Sequence, residues 1–393
     1  MADKPRFSGE WVRVSDAFDL RMGRTPSRKN LSYWRDGNHD WVSIADLGSF
    51  GKYVGGTKER INNLAIAETG IKPAPANTVL MSFKLSLGKT AITTAPVYTN
   101  EAIMAFVDKG VYPVDSSFMY HQCRAKDWTA NTNTAVMGKT LNKKTLGQQM
   151  ILLPGLTEQK AIARQLDFVE CQLDNANEQL DQLDTLVKSR FVEMFGDLKN
   201  EPNKWDIKLL GEVCATRLGK MLDAKRQTGN CSYPYLANTN VQWFRFDLTG
   251  LRYMDFTDDD RIKFGLKNGD VLVTEGGEIG RCAIWREEIP NCFFQKAVHR
   301  VRCDSEVLLP EYFVWCFKMK ADLGLFEPYV SRSTIAHLTG KKIKQVPIPL
   351  PPFTLQQEFA DFVAAVDKSR FVVQQQIDKL QILYDSLAQE YFA

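Results

Sequence analysis

The sequence predicts an α+β chain: two mixed α/β globular domains separated by two long helices packed as an antiparallel coiled coil, the whole forming a pseudo-twofold internal repeat. Three observations carry this expectation. The phrase LPGLTEQKAIARQL begins at Leu153, and LPPFTLQQEFADFV answers it from Leu350, 197 residues later in a chain of 393. After both copies, apolar residues recur at heptad spacing. Ahead of both copies, matching pairs of short β-like segments enclose glycine-containing loops. A repeat on this scale fixes the architecture before any local feature does.

In chain order, a first globular segment spans residues 1–153. Its strand signals are WVSIADL (Trp41–Leu47), PANTVLMSFKLSLGKTAI (Pro75–Ile92) and NEAIMAF (Asn100–Phe106), rich in β-branched and apolar residues and bounded by turn residues. A long helix follows over 154–198. Leu166, Leu173, Leu180, Val187 and Met194 repeat every seven residues, with Val169, Ala176 and Leu183 three further on, which makes an a/d seam. The second globular segment, 199–351, repeats the strand signals. YPYLANT (Tyr233–Thr239) answers the first, KNGDVLVTEGGEIGRCAI (Lys267–Ile284) the second at an offset of 192, and QKAVHRV (Gln295–Val301) the third. Thus Val79–Met81 corresponds to Val271–Val273 and Ala91–Ile92 to Ala283–Ile284. The last helix, 352–393, carries Val363, Ile377, Tyr384 and Tyr391 in one register, interrupted by Arg370, and Val366, Val373, Leu380 and Leu387 in the other. Thr157 and Thr354 stand where an N-cap belongs, with Gln357 placed to complete a capping box. Each helix is expected to run about 39 residues, roughly 58 Å. The seams place Leu166, Leu173, Leu180 and Leu183 against Ile377, Leu380, Tyr384 and Leu387.

Composition narrows the function classes. Hydrophobic residues make up 44% and charged residues 25%, the balance of a soluble globular chain, and no apolar run reaches the roughly 18 residues of a membrane span. The eight cysteines contain no CxxC pair, so neither a zinc site nor a dithiol redox motif is indicated, and a cytoplasmic location is expected. Net charge is +3, but it is unevenly spread. Thr157–Gly196 carries −4 and Thr354–Ala393 carries −3, which leaves +10 on the remainder. Basic globular segments suit a polyanion, whereas acidic helices do not.

Motifs of catalysis are near misses. LSLGKT (Leu85–Thr90) ends like a phosphate-binding loop, but Phe83 stands where its first glycine belongs. GEIGR (Gly277–Arg281) lacks dinucleotide-binding spacing and reads as a turn between strands. Leu350 precedes PPF where an adenine methyltransferase needs its asparagine. The four histidines form no ligand pattern, and Asp258–Asp260 reads as a solvated turn.

GRTPSRKNLSYWRDGNHDWVSIADL (Gly23–Leu47) resembles the opening of a target-recognition domain in the specificity subunits of type I restriction–modification enzymes. The matching residues are Gly23, Thr25, Pro26, Ser27, Tyr33, Trp34, Trp41, Val42, Ser43 and Asp46. TEQKAIARQLD (Thr157–Asp167) is similar to the start of that family's central helix, and SRSTIAHLTGKKIKQVPIPLPP (Ser331–Pro352) to the approach to its second. The second domain departs from the pattern: TRLGKMLDAKR (Thr216–Arg226) lacks Thr-Pro-Ser. The second helix has Leu355 and Gln356 where the first has Glu158 and Gln159.

The resemblance implies a DNA-selecting subunit that performs no chemistry, with a target-recognition domain in 1–153 and another in 199–351. Each reads one half of a bipartite double-stranded DNA target. The helices at 154–198 and 352–393 set the unread spacer and dock two methyltransferase subunits, and two restriction subunits join them. S-adenosylmethionine, ATP and magnesium then belong to those partners, with no cofactor, metal or membrane for this chain. Loop residues able to meet DNA are Arg24, Arg28, Lys84, Lys89, Asn131 and Asn133 in the first domain, and Tyr235, Asn238, Asn240, Arg281, Arg332 and Ser333 in the second. Arginine and asparagine can pair bidentately with guanine and adenine, and the glycines beside Lys89 and Arg281 let backbone approach closely. Rival readings are a specificity subunit of another methyltransferase-based defence system and a coiled-coil scaffold that binds only protein. The second leaves the basic globular segments unexplained.

Overall fold

A computed structural model describes residues 7–84, 86–128, 141–201, 204–223, 227–330 and 337–392. They form two compact units: Met1–Asn177 with Gln375–Ala393, and Glu178–Gln374. The sequence divides the chain at 153, 198 and 351, whereas the compact units cut each long helix near its middle. The reason is burial: the two halves of one helix press their apolar faces into different cores.

In the first unit, four antiparallel strands lie in the order Phe18–Met22, Ile103–Asp108, Val79–Ser82, Thr90–Ile92. A three-stranded sheet sets His39–Val42 between Glu59–Ile61, antiparallel, and Tyr98–Thr99, parallel. Gly9–Arg13 pairs with Met150–Pro154, the strand that leads into the first long helix. The second unit repeats the plan. Its four strands are Cys214–Leu218, Val298–Cys303, Val271–Thr274 and Cys282–Ile284 in the same order. Ser232–Leu236 lies between Arg252–Asp255 and Phe293–Phe294, and Asp206–Leu209 pairs with Pro347–Leu350. A hairpin of Val241–Gln242 with Arg245–Phe246 has no counterpart among the described residues of the first unit.

Glycine marks the same point of both copies. Gly23 and Gly219 follow the first strand of each four-stranded sheet. A Cβ on Gly23 would stand 2.1 Å from the Thr99 carbonyl oxygen, and one on Gly219 would stand 2.4 Å from that of Gln295. Both positions need a residue without a side chain because another backbone crosses there.

The long helices span Leu156–Phe195 and Phe353–Phe392, 40 residues each and offset by 197. They start before the expected caps. The Gly155 carbonyl accepts from the amides of Glu158 and Gln159, and the Pro352 carbonyl from those of Leu355 and Gln356. Thr157 and Thr354 therefore lie inside the first turn, and Gln357 donates along the helix to Asp361 rather than closing a capping box. The Asp258–Asp260 run is likewise not a turn but the first residues of a helix, Asp258–Phe264, capped by Thr257.

Helix pairing is antiparallel in each unit. In the first, Leu166 and Val169 share a core with Tyr384, Ala388 and Tyr391, flanked by Leu380 and Leu387. In the second, Val187 and Phe191 share a core with Phe359, Val363 and Val366; Arg370 bonds Asp184 at 2.5 Å, and Arg190 bonds Glu358 at 2.8 Å. Leu183, expected against residues 377–387, packs instead with this second core, as antiparallel running requires for a residue so far along its helix. Leu173, Leu180 and Ile377 are half-buried.

The two grips differ in chemistry. In the second unit Phe191, Phe195, Tyr312 and Phe359 form an aromatic nest with ring centroids 4.7 to 5.7 Å apart. In the first unit a buried polar network joins the apolar contact. Fully buried His121 meets Asp167 at 2.7 Å through Nε2 and the Tyr384 hydroxyl at 2.9 Å through Nδ1. Lys52 and Ser117 also bond Asp167. Tyr120 donates to Glu170 at 2.7 Å, and Arg124 joins the same carboxylate.

Candidate nucleic-acid interface

The matched hairpins are built alike. In the first unit the chain turns between Ser82 and Lys89, where the Ser82 amide donates to the Lys89 carbonyl at 2.8 Å. In the second it turns between Thr274 and Arg281, with the equivalent bond at 2.9 Å. A buried hydroxyl braces each tip: Ser82 Oγ donates to the Ser86 carbonyl, and Thr274 Oγ1 to the Glu278 carbonyl at 3.0 Å. The sequence carries the signal, a hydroxyl residue at matching positions 192 apart, although neither residue was among the candidates. With the tips pinned, what varies is their side chains, SFKLSLGK against TEGGEIGR.

Lys89 and Arg281 occupy equivalent places and lean onto equivalent turns. The Lys89 ammonium lies against Gly48, where an added Cβ would meet it at 2.2 Å. Arg281 donates to the Asn238 carbonyl at 3.0 Å and has Glu278 at 3.8 Å. Asn238 in turn donates to the Gly276 carbonyl at 3.1 Å. Arg281 Nε and Asn238 Oδ1 are both buried without a hydrogen-bond partner. Two orphaned groups on adjoining loops are unusual in a settled structure and mark Arg281 and Asn238 as a pair with bonding capacity to spare. Lys84 is exposed, its ammonium 5.2 Å from the Phe83 ring.

Arg24 and Arg28 follow the strand Phe18–Met22 and are both exposed. Arg24 donates to the Thr69 carbonyl. Arg28 forms a bidentate pair with Glu59, one arm at 2.7 Å, and its guanidinium stands 4.0 Å over the Trp34 ring. The hydrogen bond to Glu59 raises the guanidinium pKa further, so its charge is permanent. Two second-unit candidates have structural jobs. Tyr235 is 4% exposed and packs with Met254, Phe256 and Phe293, so its ring cannot meet DNA. Asn240 is buried, accepting from the Ala237 amide at 2.9 Å and donating to the Asp247 carbonyl at 2.8 Å, which spends its amide on a turn. Asn131, Asn133, Arg332 and Ser333 lie outside the described residues.

Sequence reasoning also missed a pair of buried glutamines. Gln159 and Gln356, 197 apart, are both fully buried. Gln159 accepts from the Asp115 amide at 2.8 Å and donates to the carbonyls of Pro113 and Pro154 at 2.9 and 2.8 Å. Gln356 accepts from the Leu309 amide and donates to the carbonyls of Val307 and Pro351, all at 3.0 Å. Each glutamine stitches the start of a long helix to the loop that leads into its unit's own packing helix.

Among the described residues one group, His121, Asp167 and Glu170, brings potential metal-ligand atoms within 4.8 Å of one another. Lys52 and Arg124 already neutralise its two carboxylates, so the charge balance suits an internal brace. Burial alone would raise the Asp167 pKa, but hydrogen bonds from His121 and Lys52 bring it down to about 2. No helix among the described residues is long and apolar enough to cross a membrane.

Comparison with known proteins agrees with this geometry. The type I restriction modification DNA specificity domain matches twice, over residues 9–185 and 202–381. The MjaIX type I restriction enzyme specificity subunit of Methanocaldococcus jannaschii is 24% identical over 95% of this chain and 90% of its own. The crystal structure of a type I restriction-modification S subunit from M. genitalium shares the fold, at a TM-score of 0.52 and 15% identity over 100% of this chain and 99% of the other. A chain from a structure addressing complex assembly in the type I R-M system gives 0.59 and 17%, over 99% of both chains. With two copies of the specificity domain spanning most of its length, this chain belongs to the type I restriction-modification DNA specificity family.

Proposed function

We propose that the chain is the selecting element of a DNA-modifying complex and leaves the chemistry to its partners. Each unit reads one half of a bipartite double-stranded target. The observation that carries this reading is the pair of hairpin tips held by the same hydroxyl brace yet bearing different side chains, with Lys89 in one and Arg281 in the other. A shared scaffold with divergent loops supports recognition of two unrelated half-sites.

The long helices set the unread spacer and dock two methyltransferase subunits; two restriction subunits complete the assembly. Docking is supported by large apolar side chains left exposed along them: Phe168, Phe371, Val372 and Ile382 are each more than 60% accessible. Large apolar side chains that stay accessible on a helix suit a surface that a protein partner covers. S-adenosylmethionine, ATP and magnesium are held by the partners, in the cytoplasm.

Mapping methylated adenines in the host genome with and without this gene tests the reading; an unchanged map refutes it. Lys89→Ala and Arg281→Ala should each weaken the assembled complex on DNA, with the effect read at low and moderate salt because phosphate contacts are salt-dependent. Unchanged affinity at both salts removes these two residues from the interface.

A further inference from the structure

Arg28 is an exposed cation held firmly in place. Three independent contacts fix it. Glu59 takes one N–H from each terminal nitrogen, the Trp34 ring lies 4.0 Å beneath the guanidinium, and the Trp41 ring stands 5.1 Å away. The platform under it is itself fixed. Trp34 and Trp41 pack edge to face at 5.0 Å, Trp41 is 1% exposed, and its Nε1 donates to the Arg24 carbonyl at 3.1 Å. An arginine has five N–H donors, so three remain after Glu59 is served, on a side chain still 51% exposed.

We propose that Arg28 reads a guanine in the half-site recognised by the first unit, with Glu59 and Trp34 as its positioning residues. This rests on the reading of the chain as a DNA specificity subunit. The choice of a base over a phosphate follows from charge. Arg28 and Glu59 together are neutral, and the Glu59 carboxylate would repel an approaching phosphate, whereas a base edge carries no net charge. Exposed Lys29 and Lys84, without a carboxylate clasp among the described residues, are better phosphate ligands. The choice of guanine follows from the donors. A rigid, donor-only fork needs two acceptors side by side, and in the major groove guanine offers them as O6 and N7. Lysine cannot replace this fork, because its ammonium has no fixed plane.

The test uses the complex assembled with its methyltransferase partners, acting on a duplex library randomised in both half-sites, with methylated products sequenced at two salt concentrations. The half-site of the first unit is identified by exchanging residues 1–153 for those of a relative. Arg28→Lys should reduce the preference for guanine at one position of that half-site by about tenfold to a hundredfold, leaving the other half-site and the spacer unchanged. Glu59→Gln should blunt the same preference while tightening binding to unrelated DNA and steepening its salt dependence by about one unit, since it uncovers a positive charge. Should Arg28→Lys fail to fold in a thermal melt, Glu59→Gln carries the test alone. Uniform weakening across all sequences, with a shallower salt dependence, would make Arg28 a phosphate contact and overturn the proposal. Full retention of preference in both variants would reduce the cluster to a loop clasp and overturn it equally. A wild-type complex without any sequence preference would instead defeat the specificity-subunit reading, before any variant is compared.

Discussion

Replacing Gln356 by leucine should destabilise the second unit by about 3 kcal/mol. Leucine has nearly the same volume, so the packing loss is small; the loss lies in hydrogen bonding. Gln356 is fully buried and serves three backbone groups, the Leu309 amide and the carbonyls of Val307 and Pro351, each at 3.0 Å. None of these groups regains a partner when the side chain becomes apolar, and a buried unmade hydrogen bond costs about 1 kcal/mol or more each. Gln356→Glu should be at least as harmful, because a carboxylate can accept from Leu309 but faces two carbonyl oxygens. Urea denaturation gives the magnitude. Hydrogen exchange read by mass spectrometry gives the place: faster exchange at 307–313 and at the start of the helix Phe353–Phe392. Gln159→Leu should instead loosen 113–118 and the start of Leu156–Phe195, since its bonds go to Asp115, Pro113 and Pro154. A loss below about 0.5 kcal/mol for Gln356→Leu, or exchange changing equally in both units, would refute the reasoning.

Three further outcomes are expected. Phe191→Ala should cost about 3–5 kcal/mol in denaturation, since it empties the centre of the nest of Phe195, Tyr312 and Phe359. Asp167 has a folded pKa of about 2 against an ordinary 3.8, so its contribution is complete at neutral pH and disappears as pH falls from about 4 to about 2. Discounted for partial exposure it is about 1 kcal/mol, and the gap between wild type and Asp167→Asn in acid-unfolding curves should close across that window. Four residues inserted after Asn177 lengthen the helix by about 6 Å, close to two base-pair steps, so methylation sites should show a spacer longer by one or two base pairs with both half-sites unchanged; an active complex with the original spacer would contradict a ruler.

The repeat was the most legible feature because it is written twice. Offsets of 197 and 192 survive from sequence to structure at the long helices and at the hairpins Val79–Ile92 and Val271–Ile284. Heptads located the helices but not how the cores share them. A seam reads continuously through residues 177 and 374, while the globular segments that cover it change from one end to the other. The burial of Gln159 and Gln356 was not legible, because a polar residue in a helix's first turn reads as exposed, and only the loops folded over it make it an internal stitch. Tyr235 misled for the opposite reason: tyrosine suits both a core and a nucleic-acid surface, and strand periodicity does not say which face is covered. Arg28 was legible as a cation, but its clasp depends on Glu59, 31 residues away, across a turn whose course no local pattern dictates.

The division of the chain also orders events during synthesis. The second unit is one continuous stretch, Glu178–Gln374, whereas the first needs Gln375–Ala393 to cover its core with Tyr384, Ala388 and Tyr391. The part made first is thus finished last. At about 5–20 residues per second, the roughly 200 residues in between keep the apolar faces of Leu166 and Val169 waiting for some 10–40 seconds on the ribosome. During that interval Leu166 and Val169 are open to chaperones or to other nascent chains. A chain stopped at Gln374 would retain a complete second core beside a first one lacking its cover.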